Sequence, residues 1–168
     1  MDFQSLYENY APAVRRFALF LCGDPMIADD VTSETFLRAL RAHAHIRQPT
    51  VRSYLFAIAQ NAYRDVRRRS RQQAELDVNK PDAGISAQAR LEQNEEVRVV
   101  LAALQELPEI DRTILLMRVL DDVPHEEIAS VVGVSVTAAK VKVHRARAKL
   151  MAIRNPARER VVVSGEEI

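Results

Sequence analysis

At 168 residues, 48% of them hydrophobic, the chain is long enough for one ordinary domain or two small ones and too apolar to remain disordered. Four glycines, no tryptophan and abundant Ala, Leu, Arg and Glu favour helix over sheet, and the single cysteine, Cys22, excludes an internal disulfide. No apolar run is long enough for a membrane span or a secretory signal, so the cytoplasm is the expected location, while a formal net charge of +1 is low for a nucleic-acid binder.

The opening stretch from Asp2 to Leu21 carries Phe3, Leu6, Tyr10, Val14, Phe17 and Leu21 at spacings of three and four, the stripe of an amphipathic helix. Asp24 and Pro25 then mark a new start, because the carboxylate caps free N–H groups and proline has no donor to leave unpaired there. This second helix is expected from Pro25 to about Ala42. Thr50 is the cap expected for a third, with Val51, Leu55, Ile58, Ala62 and Val66 as its stripe, continuing to about Arg71. The pattern fails between Ser70 and Glu92, where Gln72, Gln73, Asn79, Lys80, Pro81, Asp82 and Gly84 read as a linker.

Periodicity returns with Leu91, Val97, Val100, Leu101 and Leu104, and breaks at Pro108 and Pro124, each expected as the first residue of a new helix. The segment from Pro108 to Leu120 buries Ile110, Ile114, Leu115 and Met117, and that from Pro124 to Val132 buries Ile128, Ala129 and Val132. After a turn at Gly133, Ser135 caps a last helix with the stripe Val136, Ala139, Val143, Ala146, Leu150 and Ile153. The fold class expected is therefore all-α, two small helical bundles joined by a flexible linker: residues 1–72, linker 73–92, residues 93–155 and a tail 156–168.

Charge is distributed in a way the net value hides. Basic residues crowd into Arg64 to Arg71 and Lys140 to Lys149, and acids gather at Asp24 to Glu34, Glu92 to Glu96 and Glu106 to Glu127. A short helix, a turn at Gly133 and a longer helix with a cationic outer face make the layout of a helix-turn-helix, whose second helix enters the major groove. The inward stripe leaves Lys140, Val141, His144 and Arg145 outward, suited to base edges, and Lys142, Arg147 and Lys149 suited to phosphates. A solvated basic face on an ordinary bundle is the plainer alternative.

The passage LPEIDRTILLMRVLDDVPHEEIASVVGVSVTAAKVKVHRARAKL resembles the carboxyl-terminal domain of extracytoplasmic-function sigma factors, which reads the minus thirty-five promoter element. The family commonly has glycine-threonine-valine after the cap, where this chain has Thr137, Ala138 and Ala139, which bears on base preference rather than fold. ADDVTSETFLRALRA, from Ala28 to Ala42, is similar to the family's polymerase-binding helix, whose acid, glutamine and glutamate dock on the clamp helices of the large subunit of core RNA polymerase. The matching positions are Asp30, Ser33 and Glu34, with serine in place of glutamine. They share one helix face, and solvated acids near a helix start are the alternative.

SYLFAIAQNAYRDVRRR, from Ser53 to Arg69, resembles the family's promoter-melting helix, with Tyr54 where tryptophan is usual and Asn61 at the asparagine close to the captured minus ten base. Rings interleaved with cations suit single-stranded DNA, with Arg64, Arg67, Arg68 and Arg71 along the backbone. For Tyr54, Phe56 and Tyr63, core packing and base stacking both remain open. By the same resemblance, Leu76 to Ile85 threads near the polymerase active centre, and an anti-sigma factor controls the protein from outside. No self-inhibitory extension is expected ahead of the first bundle.

The function this implies is a sigma factor that binds core RNA polymerase and promoter DNA, duplex and single-stranded, and catalyses nothing itself. A stand-alone helix-turn-helix transcriptional regulator is the alternative, and an adaptor that binds only proteins is a third reading. No cofactor and no metal are expected: His43 and His45 form the only close ligand pair, and no glycine-rich phosphate loop or nucleophile elbow is evident.

Overall fold

A computed structural model of the chain describes residues 2–42, 50–76 and 94–154. Among these residues there are seven helices and no strand: α1 (Phe3–Cys22), α2 (Pro25–Arg41), α3 (Val51–Leu76), α4 (Glu95–Gln105), α5 (Glu109–Asp121), α6 (His125–Val132) and α7 (Val136–Arg154). The His43 and His45 pair, most of the expected linker and the tail after Pro156 lie outside the described residues.

Short polar side chains set the helix starts. Asp2 Oδ1 accepts from the Ser5 amide at 2.8 Å, Asp24 Oδ1 from Met26 at 2.9 Å, Thr50 Oγ1 from Ser53 at 3.1 Å and Ser135 Oγ from Ala138 at 3.1 Å. Each satisfies a donor that the first helical turn leaves open. Pro25 is the first residue of α2, as its spacing predicts. Pro108 and Pro124 stand one position earlier than expected, as extended N-cap residues whose carbonyls accept from Arg112 at 2.9 Å and Ile128 at 3.0 Å. The fixed φ of proline suits that position, and its missing N–H leaves nothing unpaired. α3 runs five residues beyond Arg71, because Gln72, Gln73, Ala74, Glu75 and Leu76 are all compatible with helix.

Val14, Phe17, Leu21, Val31, Phe36, Leu55 and Ala59 fill the interior of the α1–α3 bundle, with the Phe17 and Phe56 rings 4.8 Å apart. Leu104, Ile114, Met117, Ile128, Ala139, Val143 and Ala146 fill the second. Met117 is fully buried, and Val132, expected in this interior, is only half-buried. The two interiors are continuous: α1 packs on α4 and α5, and α3 on α6.

Polar bonds reinforce that junction. Arg112 of α5 is 4% exposed, and its Nη1 donates to the Leu21 carbonyl and, at 2.8 Å, to Gln105 Oε1, while Nη2 reaches the Leu107 carbonyl at 3.4 Å. Gln105 Nε2 donates to the same Leu21 carbonyl at 3.3 Å. Gly23 closes α1 at φ 74°, and a Cβ there would lie 3.2 Å from Gln105 Nε2, so both conformation and space call for glycine. Cys22, expected as a small buried side chain, is partly buried. Its Sγ donates to the Asp24 carbonyl at 3.3 Å, and burial pushes its thiol up to about 11.

Candidate nucleic-acid interface

The stripe of α3 turns Leu55, Phe56, Ala59, Ala62 and Tyr63 inward, and Asn61, Arg64 and Arg68 consequently face solvent, with Arg67 at the margin. Of the three aromatics for which packing and stacking compete, Phe56 and Tyr63 are buried in the core. Tyr54 is half-buried, packed against the edge of that core. The row from Tyr54 through Asn61 to Arg68 thus has one ring, one amide and three guanidinium groups. Two of those cations pair with the other bundle: Arg64 Nε lies 2.8 Å from Glu109 Oε1, and Arg67 Nη1 lies 3.3 Å from Glu109 Oε2. Arg68 meets Asp65 within the helix at 3.4 Å. Sequence spacing gives no hint of Glu109, which comes from the other bundle.

On α2, Asp30 and Ser33 are exposed and Glu34 is half-buried, all three on one side of a cleft of about 480 Å³ whose far wall includes Val66, Arg69 and Gln73 of α3. Arg38 is the unforeseen member of this group. Its Nε donates to Glu34 Oε1 at 2.9 Å and its Nη2 to Asp65 Oδ2 at 2.7 Å, so it ties the acidic face of α2 to the cationic row of α3. The hydrogen bond from Arg38 holds the Asp65 carboxyl below its ordinary value, and the same bond raises the guanidinium. The four-residue spacing of Glu34 and Arg38 is the one signal of this contact in the sequence.

Helices α6 and α7 meet at Gly133, φ 74°, and make the expected helix-turn-helix. Ala139, Val143 and Ala146 of α7 are buried, and Lys140, Val141, His144, Arg145 and Arg147 are exposed. Val141, 41% exposed, places an apolar group among those cations, as contact with a thymine methyl requires. Lys142, expected to serve phosphates, is instead turned toward its own bundle, with Nζ 3.8 Å from Asp111 Oδ1. Lys149 is exposed beyond them.

The Sigma-70 region 2 family model matches residues 6–73, and the Sigma-70 region 4 model matches residues 98–150. The chain is 35% identical over 150 residues to the ECF RNA polymerase sigma factor EcfG of Rhodopseudomonas palustris, covering 84% of this chain and 79% of that protein. It is 28% identical to the ECF RNA polymerase sigma factor SigM of Bacillus subtilis, covering 92% and 96%. The structure of CnrH in complex with the cytosolic domain of CnrY aligns with a TM-score of 0.70 and 27% identity over 92% of this chain and 88% of that one. The sigma factor RpoE of Bartonella quintana, solved with the anti-sigma factor NepR, shares the fold, with a TM-score of 0.73 at 21% identity over 92% of this chain and 97% of that one.

Proposed function

We infer the division of labour within this chain from its membership of the extracytoplasmic-function sigma factors, which bind core RNA polymerase and direct it to promoters. The first bundle docks on the clamp helices of the large subunit through Asp30, Ser33 and Glu34, and captures the unwound minus ten strand along α3. The second bundle reads duplex at minus thirty-five with α7. Lys140 and Arg145 donate to guanine edges, Val141 meets a methyl group, and His144 and Arg147 meet bases and phosphates. The factor needs no nucleotide of its own and catalyses nothing; the polymerase performs the chemistry in the cytoplasm.

Separating the strands costs a few kcal/mol for each unstacked base, which binding of the unpaired bases must offset. Asn61 and the half-buried Tyr54 supply polar and stacking contacts, and Arg64, Arg67 and Arg68 neutralise phosphates. The observation that carries this reading is that two cationic helix faces stand on separate bundles, beside an acidic face on α2 that neither DNA site uses. A stand-alone regulator accounts for α6 and α7 but gives no role to the region 2 match. Control by an anti-sigma factor follows the pattern of RpoE and NepR.

The test is run-off transcription with purified core polymerase on a genomic promoter library, which returns the promoter sequence together with the activity. Transcripts starting at a shared two-part element are expected; no association with core, or unchanged start sites, overturns the reading. On such a promoter, Asn61→Ala is expected to reduce permanganate reactivity of the melted region by about tenfold, as loss of one base contact implies, while core binding is kept.

A further inference from the structure

The cationic row of α3 contains one residue of the wrong sign. Asp65, half-buried, stands among Arg64, Arg67 and Arg68. A free carboxylate there competes with phosphates for Arg68, which comes one helical turn later and is the residue on the same face. Arg68 Nη2 already lies 3.4 Å from Asp65 Oδ1. Arg38 of α2 answers from the opposite side: its Nη2 donates to Asp65 Oδ2 at 2.7 Å, while its Nε donates to Glu34 Oε1 at 2.9 Å.

Distance and exposure decide which cation holds the carboxylate. The Arg38 side chain is 28% exposed and that of Arg68 70%, so the bond to Arg38 is both shorter and less screened, and phosphate can displace the long contact with Arg68. The hydrogen bond from Arg38 is also the leading cause that holds the Asp65 carboxyl below its ordinary value. A guanidinium presents its donors in fixed directions, and here one fork meets acids on two helices, so Glu34 sets the bearing of Arg38 toward Asp65. We propose that Arg38 is a positioning residue for strand capture: by occupying Asp65 it leaves Arg68 free for the phosphate backbone of the unpaired strand. In its absence Asp65 turns to Arg68 and withdraws a cation from the row. This rests on the reading of α3 as the strand-capturing helix.

The test uses the full chain on core polymerase saturated with it, and the promoter that the run-off selection returns. Arg38→Met, Asp65→Asn and Arg68→Gln are compared singly, and Asp65→Asn is also combined with each of the other two. Circular dichroism checks that each variant is folded at the working temperature. The readout is the concentration of holoenzyme that half-saturates permanganate reactivity of the melted region. Arg38→Met and Arg68→Gln are each expected to raise it about fivefold, the effect of one exposed ion pair. Adding Asp65→Asn should bring Arg38→Met back to within about twofold of the unaltered chain and leave Arg68→Gln where it was. A role confined to joining α2 to α3 is not restored by a second substitution that also removes the joint, so this rescue separates positioning from stability.

The proposal is overturned if Arg38→Met melts the promoter as the unaltered chain does, or if the pair stays as weak as Arg38→Met alone. Rescue of Arg68→Gln by Asp65→Asn also overturns it, since the carboxylate would then act on the strand directly. Asp65→Asn by itself is expected to match the unaltered chain, and a loss of about fivefold there is fatal even where Arg38→Met does not fold. Run-off transcription keeps the two levels apart: if the unaltered chain directs core polymerase and no rescue is seen, the positioning role fails and the function stands. If the unaltered chain directs no transcription, the functional reading fails and takes the proposal with it.

Discussion

A buried guanidinium without a carboxylate is stable only where other acceptors replace water, since an uncompensated charge in the interior costs several kcal/mol. Arg112 meets that condition at its two terminal nitrogens, with the carbonyls of Leu21 and Leu107 and the Gln105 amide oxygen, while its buried Nε has no acceptor among the described residues. Leu21 lies in the last turn of α1, where carbonyls lack helical partners and the dipole is negative. Arg112→Met is expected to lower the stability of the chain by about 2–3 kcal/mol, the range for hydrogen bonds to a charged group. Urea unfolding followed by circular dichroism measures it, and an unchanged midpoint contradicts this account of the residue. Asp65 gives a prediction in pH. Its folded-state carboxyl is held low by Arg38, so its contribution is present above the ordinary aspartate value and is lost as pH falls through the lowered one. Asp65→Asn should therefore flatten the acid limb of stability below about pH 4, read as thermal midpoints from pH 6 down to 3.

At the scale of elements, the inward stripe of α7 was legible, because three-four spacing decides which residues point inward, whereas Lys142, expected outward, turns to Asp111. The same rule could not say whether Phe56 and Tyr63 stack on bases or fill a core. Periodicity assigns a face and not the partner opposite it, and α1 supplies Phe17 there. Pro108 and Pro124 fell one position away from expectation, since N-cap and first helical residue both suit a fixed φ and a missing donor. Gly133 was read as a turn, and its φ of 74° explains why: left-handed backbone costs residues with a Cβ about 1–2 kcal/mol. No atom lies within 4 Å of a Cβ built there. Gly133→Ala should therefore cost about 1 kcal/mol through the backbone alone, seen as a lower thermal midpoint. A larger loss with a changed helical spectrum would mean that α6 and α7 rearrange.

At the scale of the whole molecule, the all-α outcome was legible, and the contact between the bundles was not. Its members, Arg16 with Asp121, Arg64 with Glu109 and Arg112 with Leu21, are separated by dozens of residues and repeat at no period. A sequence that shows two amphipathic groups on either side of a polar stretch predicts two bodies; only the structure shows their interiors meeting. One consequence is measurable. Calorimetry of the full chain should give a single heat-absorption peak whose van't Hoff and calorimetric enthalpies agree. Two resolved peaks would show that the shared interior contributes too little to couple the halves.

The fastening between Arg112 and Leu21 has a further property, set by its chemistry. A planar guanidinium presents its donors in fixed directions, and the carbonyl of Leu21 accepts from both Arg112 and Gln105. The join is therefore directional: it holds only while the end of α1 keeps its bearing on α5. What loosens it must compete for the oxygen of Leu21 or pull the helices apart, which makes this meeting of the bundles responsive to a visiting macromolecule that does either.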